Sequence, residues 1–291
     1  MSLKVLYIIS LGHSGSTLLG NILDSHSKCI HAGELISPVT KKRRLVCMEC
    51  IDDPCPIWGS LITQKDLEKN YSDFVGKDII SKAYKLLPLR RKNIIYDRIL
   101  YAYPAKSVLI DSSKNISWSK YNVNNCKKKF QYRFIFLKRD VKAVFASYKR
   151  GYNQNVGDRL PYLNKSISKI NDFYRSLSAE LKVAVSYDEL VEKPEGSLKH
   201  ICDFLNLSYE SDMLNFESMP HHICGGNQSG VIQKGTKKAK KLDSLIDFKT
   251  SADQLSYYSN LKGIKKDERW KSELTQEEKR NIDNTVTGFD F

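Results

Sequence analysis

The segment at residues 3–21 constrains the fold of this chain more than any other. It begins with the apolar run LKVLYIIS and continues as LGHSGSTLLGN, in which Gly, Ser and Thr precede apolar residues at helical spacing. A short apolar run that ends in a glycine-containing turn is typical of a buried β-strand, and the residues after Ser16 follow a helical period. The segment therefore predicts a strand, a tight loop and the start of a helix.

The predicted loop has the chemistry of an anion-binding site. A loop that opens a helix directs backbone N–H groups and hydroxyls at one point beside the positive end of the helix dipole, and phosphate or sulfate groups bind there. The sequence is not a Walker A motif, GxxxxGK[ST], because Gly12 and Gly15 are too close and Ser16 replaces the lysine. An ordinary turn capped by Ser or Thr is the alternative for the loop alone.

Further apolar runs alternate with helical patterns along the chain. The runs that predict strands lie at residues 29–35, 107–111, 132–137 and 182–187, and helical patterns cover 141–150, 164–181 and 188–207. This alternation predicts a parallel sheet with helices on both faces. We expect a single domain over residues 1–291. Within it, residues 38–103 are expected to form a mostly helical insertion and residues 218–274 a basic, loop-rich region.

The charge of the chain indicates an anionic partner or substrate. Its 47 Lys and Arg against 33 Asp and Glu give a net charge of +14. Nucleic acid, an acidic membrane, a nucleotide and an acidic polysaccharide all fit that sign. No stretch approaches the roughly 20 apolar residues of a membrane span, and the first apolar run is too short for a signal peptide. We therefore expect a cytoplasmic protein without a membrane span.

Three of the seven cysteines lie close together, at Cys47, Cys50 and Cys55. A zinc site needs a fourth ligand, and no candidate stands nearby in the sequence. Reduced thiols, a local disulfide and a metal all remain open for this cluster. Our expectation is that the protein binds no metal.

Polar residues follow three of the predicted strands, at residues 12–17, 111–114 and 138–140. Ligands of an open parallel sheet bind at the carboxyl ends of its strands, so these residues are expected to line one crevice. Arg139 offers a bidentate phosphate contact. Ser147 follows it by about two helical turns, which places both residues on roughly the same face.

With these motifs the chain resembles the sulfotransferases that use 3′-phosphoadenosine 5′-phosphosulfate (PAPS). Residues 12–17 are similar to the 5′-phosphosulfate loop of that family, and Arg139 with Ser147 is similar to its 3′-phosphate motif. Shorter similarities lie at residues 31–35, 55–58, 111–114, 187–196 and 267–270. The resemblance implies a P-loop NTPase-like α/β fold in three layers, a central parallel sheet flanked by helices.

The resemblance also implies an activity and a role for each candidate residue. The enzyme would transfer a sulfuryl group from PAPS to a hydroxyl of an acceptor, a carbohydrate or another small alcohol, and an acidic glycan would fit the net charge. Glu34 would accept the proton, Lys114 would stabilise the bridge or sulfuryl oxygen, and His13 would contact the phosphosulfate. Because the transferred group carries little charge, this chemistry requires no metal. The alternatives are a solvated loop carboxylate for Glu34 and a surface lysine for Lys114.

A larger set of residues is expected to bind the donor. The set is Gly12, His13, Ser14, Gly15, Ser16, Thr17, Arg139, Ser147, Tyr187 and Lys234. The family usually has Arg or Lys at the position of His13 and an Arg at the position of Gly230. Lys234 and the basic run after it are the candidates to replace that Arg. A protonated His13 beside the dianionic donor predicts an affinity that falls from pH 6 to 8. Tyr187 packs either near the adenine or in the core.

Two other functions are weighed against sulfuryl transfer. A nucleotide-dependent kinase of similar topology is disfavoured because no Lys follows Gly15 and no Walker B run is evident. A basic nucleic-acid-binding protein would have aromatic residues among its basic runs, and the runs at 41–44, 127–129 and 237–241 lack them. These runs are expected to be solvated surface. His221 and His222 are alternative bases or structural residues.

Overall fold

The computed structural model describes residues 3–51, 53–75, 93–126, 129–152, 156–227, 231–232, 236–246, 252–260, 263–289 and 291. The strands are β1 (Lys4–Ile9), β2 (Cys29–Gly33), β3 (Val108–Asp111), β4 (Gln131–Lys138) and β5 (Lys182–Ser186). They form one parallel sheet in the order β2-β3-β1-β4-β5. Each apolar run of the sequence thus contains a strand, and the predicted parallel sheet is confirmed.

The helices connect the strands and cover the sheet. In chain order they are α1 (Ser16–Asp24), α2 (Ser37–Thr40), α3 (Gln64–Val75), α4 (Ile94–Ala102), α5 (Ile116–Cys126), α6 (Val141–Tyr152), α7 (Val156–Ser176), α8 (Tyr187–Glu192), α9 (Pro194–Leu205), α10 (Thr236–Ile246), α11 (Ala252–Ser259), α12 (Trp270–Glu273) and α13 (Gln276–Thr285). Short 3₁₀ segments lie at Ala179–Leu181 and Ser211–Ser218.

The central strand explains the layered architecture. Val5, Tyr7 and Ile9 of β1 pack into the core on one face of the sheet, and Leu6 and Ile8 pack into the core on the other. Successive side chains of a strand point to opposite faces, so a strand buried on both faces reads as a continuous apolar run. The three-layer, P-loop NTPase-like fold implied by the resemblance is confirmed.

Several element boundaries differ from those predicted. The helical pattern at 188–207 forms two helices, because Pro194 has no N–H to continue a helix and instead starts α9. Strand β5 ends one residue early because Ser186 caps α8, its Oγ accepting a hydrogen bond of 3.4 Å from the N–H of Glu189. Thr275 and Glu278 form a capping box at the start of α13.

The region expected to be loop-rich, 218–274, contains the helices α10 and α11. On α10, Ala239 and Leu242 are buried, whereas Lys237, Lys240 and Lys241 are exposed. Buried residues three positions apart are enough to hold a helix against the core, and the lysine run then forms its solvated face. The basic run at 127–129 falls partly outside the described residues. In the part of the chain that the structure describes, no helix is both long and apolar enough to cross a membrane.

Candidate active site

The loop between β1 and α1, residues 10–15, turns tightly against two aromatic rings. A Cβ on Gly15, whose φ is +90°, would lie 2.5 Å from the ring of Tyr187. A Cβ on Gly12 would lie 2.3 Å from the hydroxyl oxygen of Tyr148. Real Cβ atoms do not approach other atoms so closely, and a positive φ strains any other residue at position 15. Both glycines are therefore required by the close approach of the loop backbone to these rings.

A buried hydroxyl lies in the same loop. Ser14 is 0% exposed, and its Oγ has no hydrogen-bond partner among the described residues. Since a buried polar atom without a partner costs free energy, such an atom beside a helix N-terminus indicates a ligand contact. Helix α1 begins two residues later, at Ser16, so the positive end of its dipole lies at this point of the loop.

Glu34 and Lys114 form an ion pair next to this loop. Glu34 directly follows β2, and Lys114 lies three residues beyond β3, so both come from the carboxyl ends of strands on one side of β1. Lys114 Nζ pairs with Glu34 Oε1 and donates hydrogen bonds of 3.2 Å to Ser16 Oγ and of 3.2 Å to the carbonyl of Ser112. The two paired side chains are only 16% and 14% exposed. This pair therefore does not fit the alternatives of a solvated loop carboxylate for Glu34 and a surface lysine for Lys114.

The charge of Glu34 is set by its surroundings. Burial favours the neutral acid, but the ammonium groups of Lys114 and Lys41 outweigh burial and lower the pKa of Glu34. Lys41 Nζ lies 3.9 Å from Glu34 Oε2. The side chain is therefore an ion-paired carboxylate at neutral pH.

His13 carries no charge at neutral pH in the free protein. Burial and then the positive charge of Lys114 lower the pKa of His13 to about 4, and Arg139 and Arg159 act in the same direction. Its ring lies edge-on to Tyr148, with 4.5 Å between centroids. The sequence led us to expect a protonated His13 beside a bound donor; in the free protein the imidazole is neutral between pH 6 and 8, because it is buried among cations.

Arg139 is fixed at the end of β4. Its Nη1 donates a hydrogen bond of 2.9 Å to the carbonyl of His13, and its guanidinium carbon lies 4.4 Å from the ring centroid of Tyr187. Its Nη2 lies 3.4 Å from Asp267 Oδ2, and the side chain is 8% exposed. These contacts hold a guanidinium group rigidly beside the loop at residues 10–15.

Asp267 joins three arginines at this place. Besides Arg139, its carboxylate contacts Arg150 at 3.3 Å and Arg269 at 2.8 Å. Burial favours the neutral acid, but the hydrogen bond from Arg269 and the three positive charges outweigh it and lower the pKa of Asp267 to about 2. The sequence interpretation missed Arg150, although it lies three residues after Ser147 and so on the same helix face. Nothing in the sequence indicated that Asp267 contacts all three arginines.

The remaining predicted donor-binding residues differ in position. Ser147 is half-buried on α6, next to Tyr148, which contacts the loop. Thr17 Oγ1 accepts a hydrogen bond of 3.1 Å from the N–H of Asn227. Tyr187 is 6% exposed and packs in the core against Gly15. Lys234 and Gly230 lie outside the described residues.

The two adjacent histidines are engaged away from Glu34. His221 Nδ1 lies 2.7 Å from Asp24 Oδ2, and its Nε2 lies 2.7 Å from the carbonyl of Phe216. The ring of His222 faces Cys47, Cys50 and Cys55 instead. Both nitrogens of a buried His221 are therefore used in structural contacts, and the hypothesis that either histidine replaces Glu34 as the base has no support in this geometry.

Comparison with known proteins identifies the family. The sequence model described as "Sulfotransferase family" matches residues 6–211, which is more than half of the chain. The sulfotransferase domain from the curacin biosynthetic pathway is 18% identical, with a TM-score of 0.51 over 98% of this chain and 97% of that one. The sulfotransferase domain from the Synechococcus PCC 7002 olefin synthase is 19% identical, with a TM-score of 0.48 over 98% and 95% of the two chains. No curated protein matches significantly. This chain therefore belongs to the sulfotransferase family, as its motifs implied, and it is an enzyme of that class.

Proposed function

We propose that this enzyme transfers the sulfuryl group of PAPS to a hydroxyl of a carbohydrate or another small alcohol. One observation carries the proposal: the loop at residues 10–15 with its buried Ser14 hydroxyl, a buried Glu–Lys pair and a buried arginine all lie at the carboxyl ends of β2, β3, β1 and β4. Ligands of parallel sheets bind at this edge. The loop fits the phosphosulfate of the donor, the Glu–Lys pair fits the reacting centre, and the arginine fits the 3′-phosphate.

The phosphosulfate binds in the loop at residues 10–15. The hydroxyl of Ser14, which has no partner within the described residues, donates to a phosphosulfate oxygen, and the start of α1 contributes its dipole. Lys114 contributes a full positive charge from its position against Ser16. His13 adds a neutral N–H donor in place of the family's usual cation.

The 3′-phosphate binds at Arg139. Its guanidinium is held by contacts to the loop backbone and to Tyr187, so little side-chain freedom is lost on binding. Asp267 occupies the same guanidinium in the free protein. Because Asp267 also contacts Arg150 and Arg269, it keeps two cationic partners when the phosphate takes Arg139.

The chemical step is an in-line displacement at sulfur. The acceptor oxygen forms a bond to sulfur while the bond from sulfur to the bridge oxygen breaks, and 3′-phosphoadenosine 5′-phosphate (PAP) leaves. Glu34 takes the proton of the acceptor hydroxyl, and Lys114 donates a hydrogen bond to the departing bridge oxygen. When Lys114 turns from Glu34 towards the donor, the carboxylate loses its nearest cation. Its pKa then rises, which makes Glu34 a better base.

The acceptor enters from the side of Lys41. The three residues that follow Lys41 in the chain, Lys42, Arg43 and Arg44, line a cleft of about 700 Å³. Lys41 itself contacts Glu34. The positive charges of Lys41 and Lys114 beside Glu34 favour an acceptor that carries negative charge, and we propose an acidic glycan or a small anionic alcohol.

Thermal unfolding in the presence of three ligands tests the function. A ligand that binds only the folded state stabilises it by about 2.7 kcal/mol at 100 times its Kd. We expect PAP to raise Tm, whereas ATP and a short DNA duplex leave it nearly unchanged. A larger shift with ATP would favour the kinase, and a larger shift with DNA would favour the nucleic-acid-binding protein.

Transfer of labelled sulfate from PAPS to a panel of neutral and acidic sugars then tests the acceptor class.

Gly15→Ala is expected to lower Tm and to abolish PAP binding. The new Cβ would overlap the ring of Tyr187, and the φ of +90° would cost an alanine about 1–3 kcal/mol. Gly196→Ala is the matched control, because Gly196 lies within α9 and a Cβ there would have no neighbour within 4 Å. That variant should be as stable as wild type or slightly more so. Retention of PAP binding by Gly15→Ala, measured by calorimetry, would contradict the close packing of the loop.

The contribution of His13 to donor affinity is expected to depend on pH below neutrality. The pKa of His13 is about 4 in the free protein, and a bound dianion moves it back towards the ordinary value of about 6.5. Binding therefore takes up a proton in that interval, and affinity falls as pH rises from 4.5 to about 6.5. Above it the imidazole is neutral in both states, and the His13 contribution is constant.

Calorimetry with PAP from pH 4.5 to 8 measures this effect. Since the phosphates of PAP titrate in the same interval, the quantity to plot is the ratio of wild-type affinity to that of His13→Asn. Asparagine tolerates the φ of +62° at this position and carries no charge. A ratio that does not vary with pH would show that His13 never gains a proton in the complex.

A further inference from the structure

Three cysteines and one histidine bring their ligand atoms together outside the active site. Nδ1 of His222 lies 3.8 Å from Sγ of Cys47, 3.4 Å from Sγ of Cys50 and 3.7 Å from Sγ of Cys55. All four atoms lie within 4.8 Å of one another. A tetrahedral zinc ion with bonds of about 2.3 Å to sulfur and about 2.0 Å to nitrogen separates sulfur from nitrogen by about 3.5 Å. We propose that these four residues bind a structural zinc ion.

The sulfur atoms are surrounded as thiolates are. Sγ of Cys47 accepts a hydrogen bond of 3.4 Å from the N–H of Glu49. Sγ of Cys55 accepts two, of 3.4 Å from the N–H of Ile57 and of 3.3 Å from that of Trp58. Backbone N–H groups aimed at ligand sulfurs stabilise their negative charge, as outer contacts do in metal sites. Soft thiolates with an imidazole select zinc over magnesium or calcium.

The site is closed, which assigns it a structural role. Four protein ligands complete a tetrahedron and leave no position for substrate or water, whereas catalytic zinc keeps one position open. Every cysteine of the cluster is a free thiol in this structure. A disulfide between any two of the cysteines would use only two of the four converging ligand atoms, whereas a zinc ion binds all four.

The fourth ligand is remote in sequence, 167 residues beyond Cys55. The segment that follows His222 connects the zinc site to the active site. Two residues after His222, the carbonyl of Cys224 accepts a hydrogen bond of 2.7 Å from the N–H of Glu34. The N–H of Asn227 then donates to Thr17 Oγ1 at 3.1 Å. The zinc ion therefore anchors the segment that holds the backbone of Glu34 and the start of α1.

This anchoring makes His222 a positioning residue for Glu34. That consequence rests on the proposed function, whereas the metal site itself does not. Loss of zinc should lower kcat of sulfuryl transfer more than it weakens PAP binding, because Cys224 contacts the backbone of the base directly, whereas the segment contacts the donor loop only through the hydrogen bond of Asn227 to Thr17. Metal content and activity are separate measurements, so failure of the proposed activity would leave the test of the zinc site intact.

Metal analysis of the purified full chain tests the site directly. Protein produced with added zinc and kept reduced should contain about one zinc ion per chain, and His222→Ala should contain less than about 0.1. His222→Cys should retain zinc, because four thiolates also form a closed tetrahedral site. His200→Ala, at an exposed histidine, and Cys126→Ala, at a cysteine outside the cluster, should bind zinc as wild type does. Wild type reconstituted with cobalt should show the visible absorption bands of a tetrahedral thiolate site.

Three results would overturn the proposal. The first is reduced wild-type protein without zinc after reconstitution. The second is equal zinc content in wild type and His222→Ala, which would remove His222 from the site. The third is a thiol titration of unfolded, unreduced protein that finds five free thiols instead of all seven, which would assign a disulfide to the cluster.

Discussion

Glu34→Gln is expected to lower the rate of sulfuryl transfer by about 10²–10⁴-fold while PAP affinity stays close to that of wild type. The amide preserves the shape of the side chain and still accepts a hydrogen bond from Lys114, but it cannot take a proton at neutral pH. Lys114 keeps its contacts to Ser16 and to the carbonyl of Ser112, so the donor site stays formed. Single-turnover rates with a working acceptor and calorimetry with PAP measure the two quantities separately.

The pH profile separates a base from a residue that only positions Lys114. In wild type, kcat/KM should fall at acidic pH as Glu34 becomes protonated. Because the charges of Lys114 and Lys41 outweigh burial and lower the pKa of Glu34, the midpoint of this fall should lie below pH 4.5, the ordinary glutamate pKa. The fall should be absent from the residual activity of Glu34→Gln, whereas Glu277→Gln, at an exposed position on α13, should match wild type in rate and profile. A near-normal rate in Glu34→Gln would assign the proton to water.

The fold was predictable from local patterns. An apolar run followed by glycines and hydroxyls predicts a strand, loop and helix wherever it occurs, since the pattern reports burial and backbone geometry within a few residues. The predicted strands at 3–10, 107–111 and 132–137 therefore agree with β1, β3 and β4. In an all-parallel sheet the strands end at one edge, so the convergence of Glu34, Lys114 and Arg139 follows from topology.

Contacts between distant segments were not predictable in this way. His222 reaches the three cysteines, and Asp267 reaches Arg139 and Arg150, across more than a hundred residues. No spacing in the sequence reports such a contact. The pKa of His13 in the free protein was not predictable for the same reason, because it depends on burial and on cations from other strands and helices. Local patterns indicate which residues lie at the site, whereas their protonation and their partners depend on the three-dimensional structure.

Arg139→Ala is expected to weaken binding of PAP by about 10–150-fold, the equivalent of about 1.5–3 kcal/mol for a lost charge-assisted phosphate contact. Binding of AMP, which has no 3′-phosphate, should change little. Asp267 keeps Arg150 and Arg269 as partners in this variant, so its carboxylate is not left buried without a cation. Calorimetry with both nucleotides gives the ratio of their affinities, and that ratio isolates recognition of the 3′-phosphate from damage to the loop.

Arg133→Ala is the matched control for Arg139→Ala. Both arginines lie on or directly after β4 and both substitutions remove one positive charge, but Arg133 lies six residues earlier, about 20 Å away along the strand. Its Nη1 donates to the carbonyl of the adjacent Tyr132, away from the loop. If the long-range field of this basic protein dominated, both variants would lose PAP affinity alike and the loss would shrink in high salt. If Arg139 reads the 3′-phosphate, only Arg139→Ala loses the preference for PAP over AMP. Equal losses of PAP and AMP binding in Arg139→Ala would instead mean that the residue supports the loop through its hydrogen bond to His13.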